Sequence, residues 1–290
     1  MGRHLQEARR YIGRDAGRLI DGGRYALVHT RSMEFDELRP YVRGDDVRDI
    51  DWKASARSGH PLIKQFVSEK HHKILVVADA GRNATALAPS GERKCEIATH
   101  VIGAIGLMTL PRSDEIGMVT GDRRVCLDIR LRRGDNHIES MLHHYLHHAA
   151  GVPDVSDICS QLTWVATHYR HRLLVFVIAD EPDASDRLRT VLAPLTARHD
   201  VLWMMIADMP TVNPGFGQGC GYEVSDGRLL LPAALLGPAV ADAYRRSEQQ
   251  RRQSLSDFLT QQHIPHARVA ASSDINAALT ELTGRYARAR

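Results

Sequence analysis

The stretch "KILVVAD", residues 73–79, decides the fold, because five consecutive apolar residues lead directly into an aspartate. Short, continuous apolar runs are typical of parallel strands that helices cover on both faces. "LLVFVIAD" (173–180) and "DVLWMMIAD" (200–208) repeat the pattern further along the chain. Residues 92–110, after the first run, carry apolar residues at helical spacing and stop at Pro111. The sequence therefore predicts an α/β domain of the Rossmann-like class with a mainly parallel central sheet.

The alternation of strands and helices continues to the end of the chain. Two short strands flank a turn at Gly121 and Asp122, and a last strand precedes a capped terminal helix. Residues 212–227, with five glycines and one proline, form a loop or hairpin that the pattern does not place. The predicted strands after the first are 115–122, 123–129, 173–180, 200–208 and 267–271, and the predicted helices are 92–110, 136–149, 156–169, 184–198, 240–262 and 272–289.

Residues 1–70 do not follow this alternation, so we divide the chain into an N-terminal segment (1–70) and an α/β domain (71–290). A helix is predicted over 4–20, before a break at Gly22 and Gly23. The remainder of the segment has too few apolar residues for a core of its own, and we expect it to wrap around the α/β domain. The expected anchors are Phe35, Leu38, Tyr41, Ile50, Trp52, Ile63 and Phe66.

Composition and charge exclude several classes of function. With 290 residues, of which 43% are hydrophobic, the chain can bury a large core. Its net charge of +3 comes entirely from residues 1–70, and this excess is too small to predict a nucleic-acid partner. The longest apolar runs are strand-sized, so no membrane insertion is expected, and the start lacks the apolar core of an export signal. Four cysteines without a CxxC pair indicate reduced thiols and hence a cytoplasmic protein.

The stretch "PYVRGDDVRDIDWKASAR" (40–57) has a dense set of charges and admits two interpretations. In the first, aspartates bind a divalent ion and a lysine stabilises the attacked phosphate, as in a metal-dependent nuclease or other hydrolase. In the second, arginines neutralise the aspartates and the stretch is a structural clamp. The clamp is favoured, because charges that cancel locally are usually structural or part of an interaction surface. The residues concerned are Asp45, Asp46, Asp51 and Lys53 in the first interpretation, with Arg39, Arg43, Arg48 and Arg57 as their partners in the second.

Residues 31–66 resemble the signature of the domain-of-unknown-function family 58, which has the pattern EFxxxRxYxxGDDxRxIDWxxxAR. The match is too extensive for chance, and it continues more loosely through the strand and helix pattern to about residue 210. We call residues 34–57 the signature stretch. Its matched positions are Glu34, Phe35, Arg39, Tyr41, Gly44, Asp45, Asp46, Arg48, Ile50, Asp51, Trp52, Ala56 and Arg57.

The resemblance implies a fold and a partner. Proteins of this family have a von Willebrand factor A-like domain after the signature, are typically bacterial or archaeal, and have genes beside those of MoxR-type AAA+ ATPases. The resemblance therefore implies a non-enzymatic adaptor or co-chaperone that helps such an ATPase to act on a client protein. The signature stretch would form a structural or interaction surface, and no catalytic residue is expected.

The implied fold often holds a divalent ion at the carboxyl end of its sheet, in a metal-ion-dependent adhesion site (MIDAS). Oxygen ligands come from a DxSxS motif after the first strand and from an aspartate after the fourth. Here Asp79 begins the motif and Asp180 suits the later aspartate, but Gly81 and Asn83 replace the two serines. The resemblance therefore implies a degenerate site of three residues, Asp79, Asn83 and Asp180.

A threonine completes that site in the related fold, in a loop that we expect just before the helix over 136–149. The segment "RRGDNH" there contains no threonine, and Asp135 or Asn136 is the expected substitute. Mg²⁺ demands near-ideal octahedral geometry, so three departures from the ligand set argue against it. We therefore expect no cofactor and keep Mg²⁺ as the alternative. Strand-end aspartates that cap helices or loop amides are the simpler explanation of Asp79 and Asp180.

A histidine-rich stretch, "HHYLHH" (143–148), places His143 with His147 and His144 with His148 at four-residue spacing. Such pairs can hold Zn²⁺ on one helical face, but no third ligand is identifiable, so a solvated histidine-rich face is favoured. The sequence contains no phosphate-binding loop, serine-hydrolase elbow or dinucleotide fingerprint.

Overall fold

The structure is a computed structural model that divides into two compact units. Unit 1 comprises Met1–Leu27 and Lys73–Arg290, and unit 2 comprises Val28–His72. Residues 13–20 of the predicted helix over 4–20, the Gly22 and Gly23 break and much of 212–227 lie outside the described residues. The structure describes residues 2–12, 30–42, 45–210, 212, 221–225, 227–230 and 237–288, with the backbone alone in 30–37, 64–71, 221–222 and 229–230.

The described helices and strands are named here in chain order. The helices are α1 (Arg3–Arg9), α2 (Trp52–Ser58), α3 (Lys94–Thr109), α4 (Asp135–Ala149), α5 (Ile158–His168), α6 (Asp186–Arg198), α7 (Pro238–Gln261) and α8 (Ile275–Arg288). The strands are β1 (Thr30–Pro40), β2 (Leu62–His71), β3 (Lys73–Asp79), β4 (Glu115–Gly121), β5 (Cys126–Arg132), β6 (Leu174–Ala179), β7 (Asp200–Ile206), β8 (Gly221–Tyr222), β9 (Leu229–Leu230) and β10 (His266–Val269).

A six-stranded sheet lies at the centre of unit 1, in the order β10-β7-β6-β3-β4-β5. All neighbouring strands are parallel except β4 and the edge strand β5, which run antiparallel around the predicted turn at Gly121. The six predicted strands are all present, and the predicted α/β class with a mainly parallel sheet is confirmed. Because β3 lies in the middle of the sheet, its carboxyl end adjoins the ends of β4 and β6.

Helices cover both faces of this sheet and divide the core into two clusters. Successive side chains of a strand point to opposite faces, so Val76 and Ala78 of β3 pack into one cluster and Val77 into the other. Helices α3, α4 and α8 complete the first cluster, and α5, α6 and α7 complete the second. Among the described helices, none is both long and apolar enough to cross a membrane.

Helix α1 belongs to unit 1, which differs from the predicted grouping of residues 1–70. Leu5 and Ala8 are completely buried, and Leu5 is part of the first core cluster. The carboxylate of Glu139 in α4 accepts hydrogen bonds from the backbone amides of His4 (3.0 Å) and Leu5 (2.9 Å). Amides of the first helical turn have no partner within the helix, so the carboxylate of Glu139 fixes the amino end of α1 on the domain.

Unit 2 is built on an antiparallel hairpin of β1 and β2, which the sequence reasoning did not anticipate. The strands pair from Thr30 with His71 to Pro40 with Leu62, and α2 lies in the connection between them. Among the expected anchors, Trp52 is 70% exposed. Leu38 is also exposed, whereas Ile63 is buried. The side chains of the other expected anchors Phe35 and Phe66 lie outside the described residues, and those of Tyr41 and Ile50 are partly buried.

Candidate interaction site at the carboxyl end of the sheet

Asp79, the last residue of β3, is held in place by the loop that follows it. One carboxylate oxygen accepts a hydrogen bond from the backbone amide of Gly81 (2.9 Å), and the side chain is 7% exposed. The hydroxyl of Tyr145 in α4 donates to the backbone carbonyl of Asp79 (3.1 Å). The expectation that a strand-end aspartate satisfies a loop amide is therefore met at Asp79.

Ser156 completes this group, and the sequence reasoning missed it. Its hydroxyl accepts a hydrogen bond from the backbone amide of Asn83 (3.1 Å) and also hydrogen bonds to the carboxylate of Asp79. A Cβ atom at Gly81 would lie 2.4 Å from the Cα of Ser156. The loop between α4 and α5 thus fills the space that a side chain at position 81 would need. We call Asp79, Asn83, Ser156 and Asp180 the strand-end site.

The expectation that Asp135 or Asn136 completes the site is wrong. Strand β5 runs antiparallel to β4 and ends at Arg132, which pairs with Ile116 near the start of β4. Helix α4 therefore begins at the amino edge of the sheet, and only the loop after α4 returns to the carboxyl edge. At that distant edge the Asp135 carboxylate accepts a hydrogen bond from the backbone amide of Asn136 (3.0 Å).

Asn83 and Asp180 meet as expected, in a direct contact. The side-chain amide of Asn83 donates a hydrogen bond to a carboxylate oxygen of Asp180 (2.6 Å). Burial, followed by the charge of Asp180, raises the pKa of Asp79 to about 7. Burial likewise raises the pKa of Asp180, and the charge of Lys94 opposes this effect. The two carboxylates therefore repel each other in a poorly hydrated place.

Basic side chains pair with other carboxylates that follow the neighbouring strands. Lys94, the first residue of α3, is only 4% exposed and forms an ion pair with Asp208, which follows β7. Arg251 of α7 donates to the other oxygen of Asp208 (3.0 Å) and to the backbone carbonyl of Glu181 (3.1 Å). The Glu181 carboxylate pairs with Arg268 of β10. The chain itself thus supplies positive charge beside the strand-end site.

The strand-end site fits a divalent ion poorly. Mg²⁺ requires about six oxygen ligands in octahedral geometry, whereas Gly81 offers no side-chain oxygen and Asn83 turns its amide nitrogen toward Asp180. In the part of the chain that the structure describes, no group of three or more His, Cys, Asp or Glu side chains is arranged to hold a metal ion. The histidine-rich stretch, all of which the structure describes, forms no such group either, and its His148 hydrogen bonds to Asp122 (3.0 Å).

In unit 2, Asp45 binds Arg39 as the clamp interpretation expects. Both terminal guanidinium nitrogens donate to the Asp45 carboxylate, at 2.8 and 2.7 Å, and the backbone amide of Val42 donates to it as well (2.9 Å). The hydrogen bond from Arg39 holds the pKa of Asp45 below its usual value. This two-pronged pair closes the turn after β1.

Asp46 caps the short 3-10 helix Val47–Asp49, and Asp51 caps α2. A side-chain oxygen of Asp46 accepts from the backbone amide of Arg48 (3.0 Å), and one of Asp51 accepts from the amides of Lys53 and Ala54 (both 3.0 Å). Both aspartates therefore stabilise amides that a helix start leaves unpaired.

Two of the expected arginines, Arg48 and Arg57, form no close ion pair with these aspartates. Arg48 approaches Asp46 only at 3.8 Å with both side chains exposed, and the described hydrogen bond of Arg57 goes to the backbone carbonyl of Lys53 (3.3 Å). Arg43 and Gly44 lie outside the described residues, and for Glu34 and Phe35 only the backbone is described.

Comparison with protein families and curated proteins gives one family and no established activity. A family model described as "Protein of unknown function DUF58" matches residues 37–217, more than half of the chain. Uncharacterized proteins from Mycobacterium bovis and Mycobacterium tuberculosis are each 23% identical over 233 residues, covering 79% of this chain and 72% of the relative.

The solved structures that this chain resembles are only distantly similar to it. An aerotolerance-related membrane protein from Bacteroides fragilis, crystallised with multiple mutations to serines, has a TM-score of 0.45 and 12% identity, covering 73% of this chain and 98% of that one. A von Willebrand factor type A structure from Catenulispora acidiphila has a TM-score of 0.42 and 10% identity, covering 77% of this chain and 43% of that one. Likenesses at this level carry no functional conclusion.

Proposed function

Because the chain belongs to the DUF58 family of unknown function, we propose that it is a non-enzymatic, von Willebrand factor A-like protein-interaction module. Its finer role in this proposal is that of an adaptor or co-chaperone, which brings a MoxR-type AAA+ ATPase to a client protein. The ATPase supplies the ATP chemistry, since this sequence has no phosphate-binding loop.

The exposure of apolar side chains in the signature stretch is the observation that carries the proposal. Trp52 is 70% exposed, although tryptophan is usually well buried, and Val42 and Val47 are 62% and 59% exposed. The charged side chains of Lys53 and Arg57, which like Trp52 belong to α2, are also exposed. Apolar groups with a charged rim are typical of protein interfaces, and tryptophan and arginine often dominate their binding energy.

The contacts of the aspartates favour an interaction surface over a nuclease. Asp45 is engaged by Arg39, and Asp46 and Asp51 cap helix starts. These roles are structural, so the proposal assigns no catalytic residue to the signature stretch.

The proposal places the protein in the cytoplasm without a resident cofactor. Cys95, Cys126 and Cys159 are free thiols, which suits a reducing compartment. Neither nucleic acid nor membrane insertion enters the proposed function.

The test is the affinity of the purified protein for the MoxR-type ATPase of the same organism, measured with ATP and without it. Trp52→Ala should weaken binding about tenfold or more, because an exposed tryptophan at an interface contributes much of the affinity. Tyr244→Ala is the matched control, since Tyr244 is a partly exposed aromatic residue of α7 outside the signature stretch. Equal melting temperatures of the three proteins show that folding is unchanged.

Three results would contradict the proposal. Two of them concern binding: no binding to the ATPase both with ATP and without it, or an equal loss of binding in Trp52→Ala and Tyr244→Ala. The other is Mg²⁺- or Mn²⁺-dependent hydrolysis of DNA or RNA that disappears in a folded Lys53→Ala variant, which would establish the nuclease interpretation instead.

A further inference from the structure

Helix α2 buries one side and exposes the other. Ser55 is 9% exposed, and its hydroxyl accepts a hydrogen bond from the backbone amide of Leu62 (2.8 Å), so this side of the helix lies against the start of β2. Successive helix residues are rotated by about 100°, so positions 52, 56, 53 and 57 follow one another around the other side. These four exposed residues, which we call the α2 face, are Trp52, Ala56, Lys53 and Arg57.

The α2 face has an apolar half and a basic half. Trp52, which is 70% exposed, and the methyl group of Ala56 form the apolar half. Lys53 and Arg57 form the basic half. Burial of the indole in a partner would remove one of the largest apolar side chains from water, which favours a partner surface with an apolar hollow.

The two cations of the α2 face are not neutralised within the part of unit 2 whose side chains are described. The hydrogen bond of Arg57 engages only Nε, with the backbone carbonyl of Lys53 (3.3 Å). Neighbouring carboxylates act elsewhere, because Asp51 accepts from backbone amides and Asp45 pairs with Arg39. The ammonium group of Lys53 and the terminal guanidinium nitrogens of Arg57 are therefore available to carboxylates of a partner.

The charge balance of unit 2 favours a protein partner over a polyanion. In residues 38–42 and 45–63, whose side chains the structure describes, four acidic residues balance four basic ones. Nucleic acids and anionic membranes attract surfaces with a net positive charge. A small basic patch beside one exposed aromatic group instead fits a single acidic patch on a protein.

We propose that the α2 face docks on an acidic surface of a protein partner, with Trp52 in an apolar hollow and with Lys53 and Arg57 against carboxylates at its rim. The cations speed the encounter and orient the two proteins, and the indole slows their separation. This inference rests on the proposed role of the signature stretch as an interaction surface, and it adds the chemistry of the surface that binds there.

The first test measures the rates at which the MoxR-type ATPase of the same organism binds and dissociates in about 50 and about 500 mM NaCl. Wild type should bind about tenfold more slowly at the higher salt, because ions screen the charges. Lys53→Glu/Arg57→Glu should bind about tenfold more slowly at low salt and lose most of this salt dependence. Arg245→Glu/Arg246→Glu, with the same change of net charge on the exposed side of α7, is the matched control and should behave like wild type.

The two halves of the α2 face should affect different rates. Trp52→Ala should mainly speed dissociation and keep the salt dependence of binding. If Lys53→Glu/Arg57→Glu binds as fast as wild type, the inference is overturned, whereas the proposed function stands as long as Trp52→Ala still weakens binding. Should the charge reversal unfold α2, Lys53→Gln/Arg57→Gln takes its place, with a smaller effect in the same direction.

The second test needs no known partner, so it decides the inference even where the ATPase does not bind. A photoreactive benzophenone side chain replaces Ala56 in cells of the native organism, and mass spectrometry identifies the molecule and residue to which it becomes attached. We expect attachment to a protein surface with more Asp and Glu than Lys and Arg, which Trp52→Ala abolishes and Tyr244→Ala does not.

An acidic attachment site on a protein other than the ATPase would support the inference and contradict only the proposed ATPase partner. Attachment to nucleic acid, to lipid or to a protein surface without an acidic excess would overturn the inference. The same conclusion would follow if the benzophenone attached to nothing.

Discussion

Aspartates of the signature stretch act on backbone amides as much as on arginines. Asp51 accepts from the first amides of α2, and the hydroxyl of Ser55 donates to the backbone carbonyl of Asp51 (2.7 Å) while accepting from the amide of Leu62 (2.8 Å). A single capped turn thereby joins α2 to the start of β2. The fixed spacing of aspartates in this stretch therefore has a structural explanation at the level of single hydrogen bonds.

Asp51→Ala should lower the free energy of unfolding by about 0.5–2 kcal/mol, because two amides at the start of α2 lose their acceptor. Hydrogen exchange of the α2 amides and a thermal melt measure the effect. Asp51→Ser, which can still cap, should recover most of the loss. Lys53→Ala changes an exposed side chain and should melt like wild type; a larger loss in Lys53→Ala than in Asp51→Ala would contradict the capping role.

Buried His199 makes the stability of unit 1 depend on pH. The side chain is 3% exposed, Nδ1 accepts from the backbone amide of Leu173 (3.3 Å), and burial lowers the pKa of His199 to about 4. As the pH falls, the imidazole of His199 becomes protonated near pH 6.5 in the unfolded chain and only near pH 4 in the folded chain. The contribution of neutral His199 is therefore complete above pH 6.5 and is lost as the pH falls toward 4.

Between pH 7 and pH 4.5, this difference should remove about 2–3 kcal/mol from the free energy of unfolding of wild type. Urea unfolding at both pH values of wild type and His199→Gln measures it, and the variant should lose less on acidification. His144→Gln, at an exposed position, serves as control and should follow wild type. Equal acid sensitivity of wild type and His199→Gln would rule out the effect.

At the residue scale, the sequence could predict that Asp79, Asn83 and Asp180 lie at the same edge of the sheet, because the carboxyl ends of neighbouring parallel strands meet there; their role as metal ligands stays a prediction. It could not predict Lys94, since patterns of polarity place lysines at the surface and only the packed structure shows one buried. The position of Ser156 could also have been predicted. The predicted hairpin at Gly121 reverses the chain, so the loop after α4 had to return to the carboxyl edge of the sheet.

In helix α3, two glycines set how closely the neighbouring helices approach. A Cβ at Gly103 would lie 2.5 Å from the Cβ of Ala8 in α1, and a Cβ at Gly106 would lie 2.5 Å from Cγ2 of Ile138 in α4. Glycine weakens a helix interior, so its presence twice on α3 is explained by close packing.

Gly106→Ala should therefore destabilise unit 1 by about 1–3 kcal/mol, because the gain in helix propensity is smaller than the cost of overpacking against a branched side chain. Gly284→Ala in α8 is the matched control: the nearest atom to its added Cβ is the flexible end of Arg288 at 3.7 Å. That variant should gain up to about 1 kcal/mol. Urea unfolding of both variants gives the comparison, and a stabilised Gly106→Ala would refute close packing as the reason for glycine.

Elements with a strong apolar period could be predicted, and polar ones could not. Continuous apolar runs such as residues 74–78 predict the strands of the central sheet, because such runs are typical of strands that helices cover on both faces. Strands β1 and β2, "TRSMEFDELRP" and "LIKQFVSEKH", contain charges throughout, so neither shows the alternation of a half-buried strand. Pairing between two such strands depends on backbone hydrogen bonds that a polarity pattern does not record.

For the whole molecule, the chain folds as two units, of which the second is an insertion between α1 and β3. The sequence predicted a division at residue 70, whereas the compact units are Met1–Leu27 with Lys73–Arg290 and Val28–His72, so α1 belongs with the α/β part. Its apolar face looks the same whether it packs on unit 1 or within a wrapping segment, and only the burial of Leu5 and its link to Glu139 distinguish the two.

This arrangement affects how the protein is made. Helix α1 ends at Arg9, whereas α4, on which it packs, ends at Ala149, 140 residues later. At about 5–20 residues per second, a ribosome needs about 7–30 s to produce that stretch. During this time a helix of seven residues is too short to persist alone, and Leu5 stays available to chaperones. Slowing translation between residues 10 and 149 should therefore prolong chaperone association of the nascent chain.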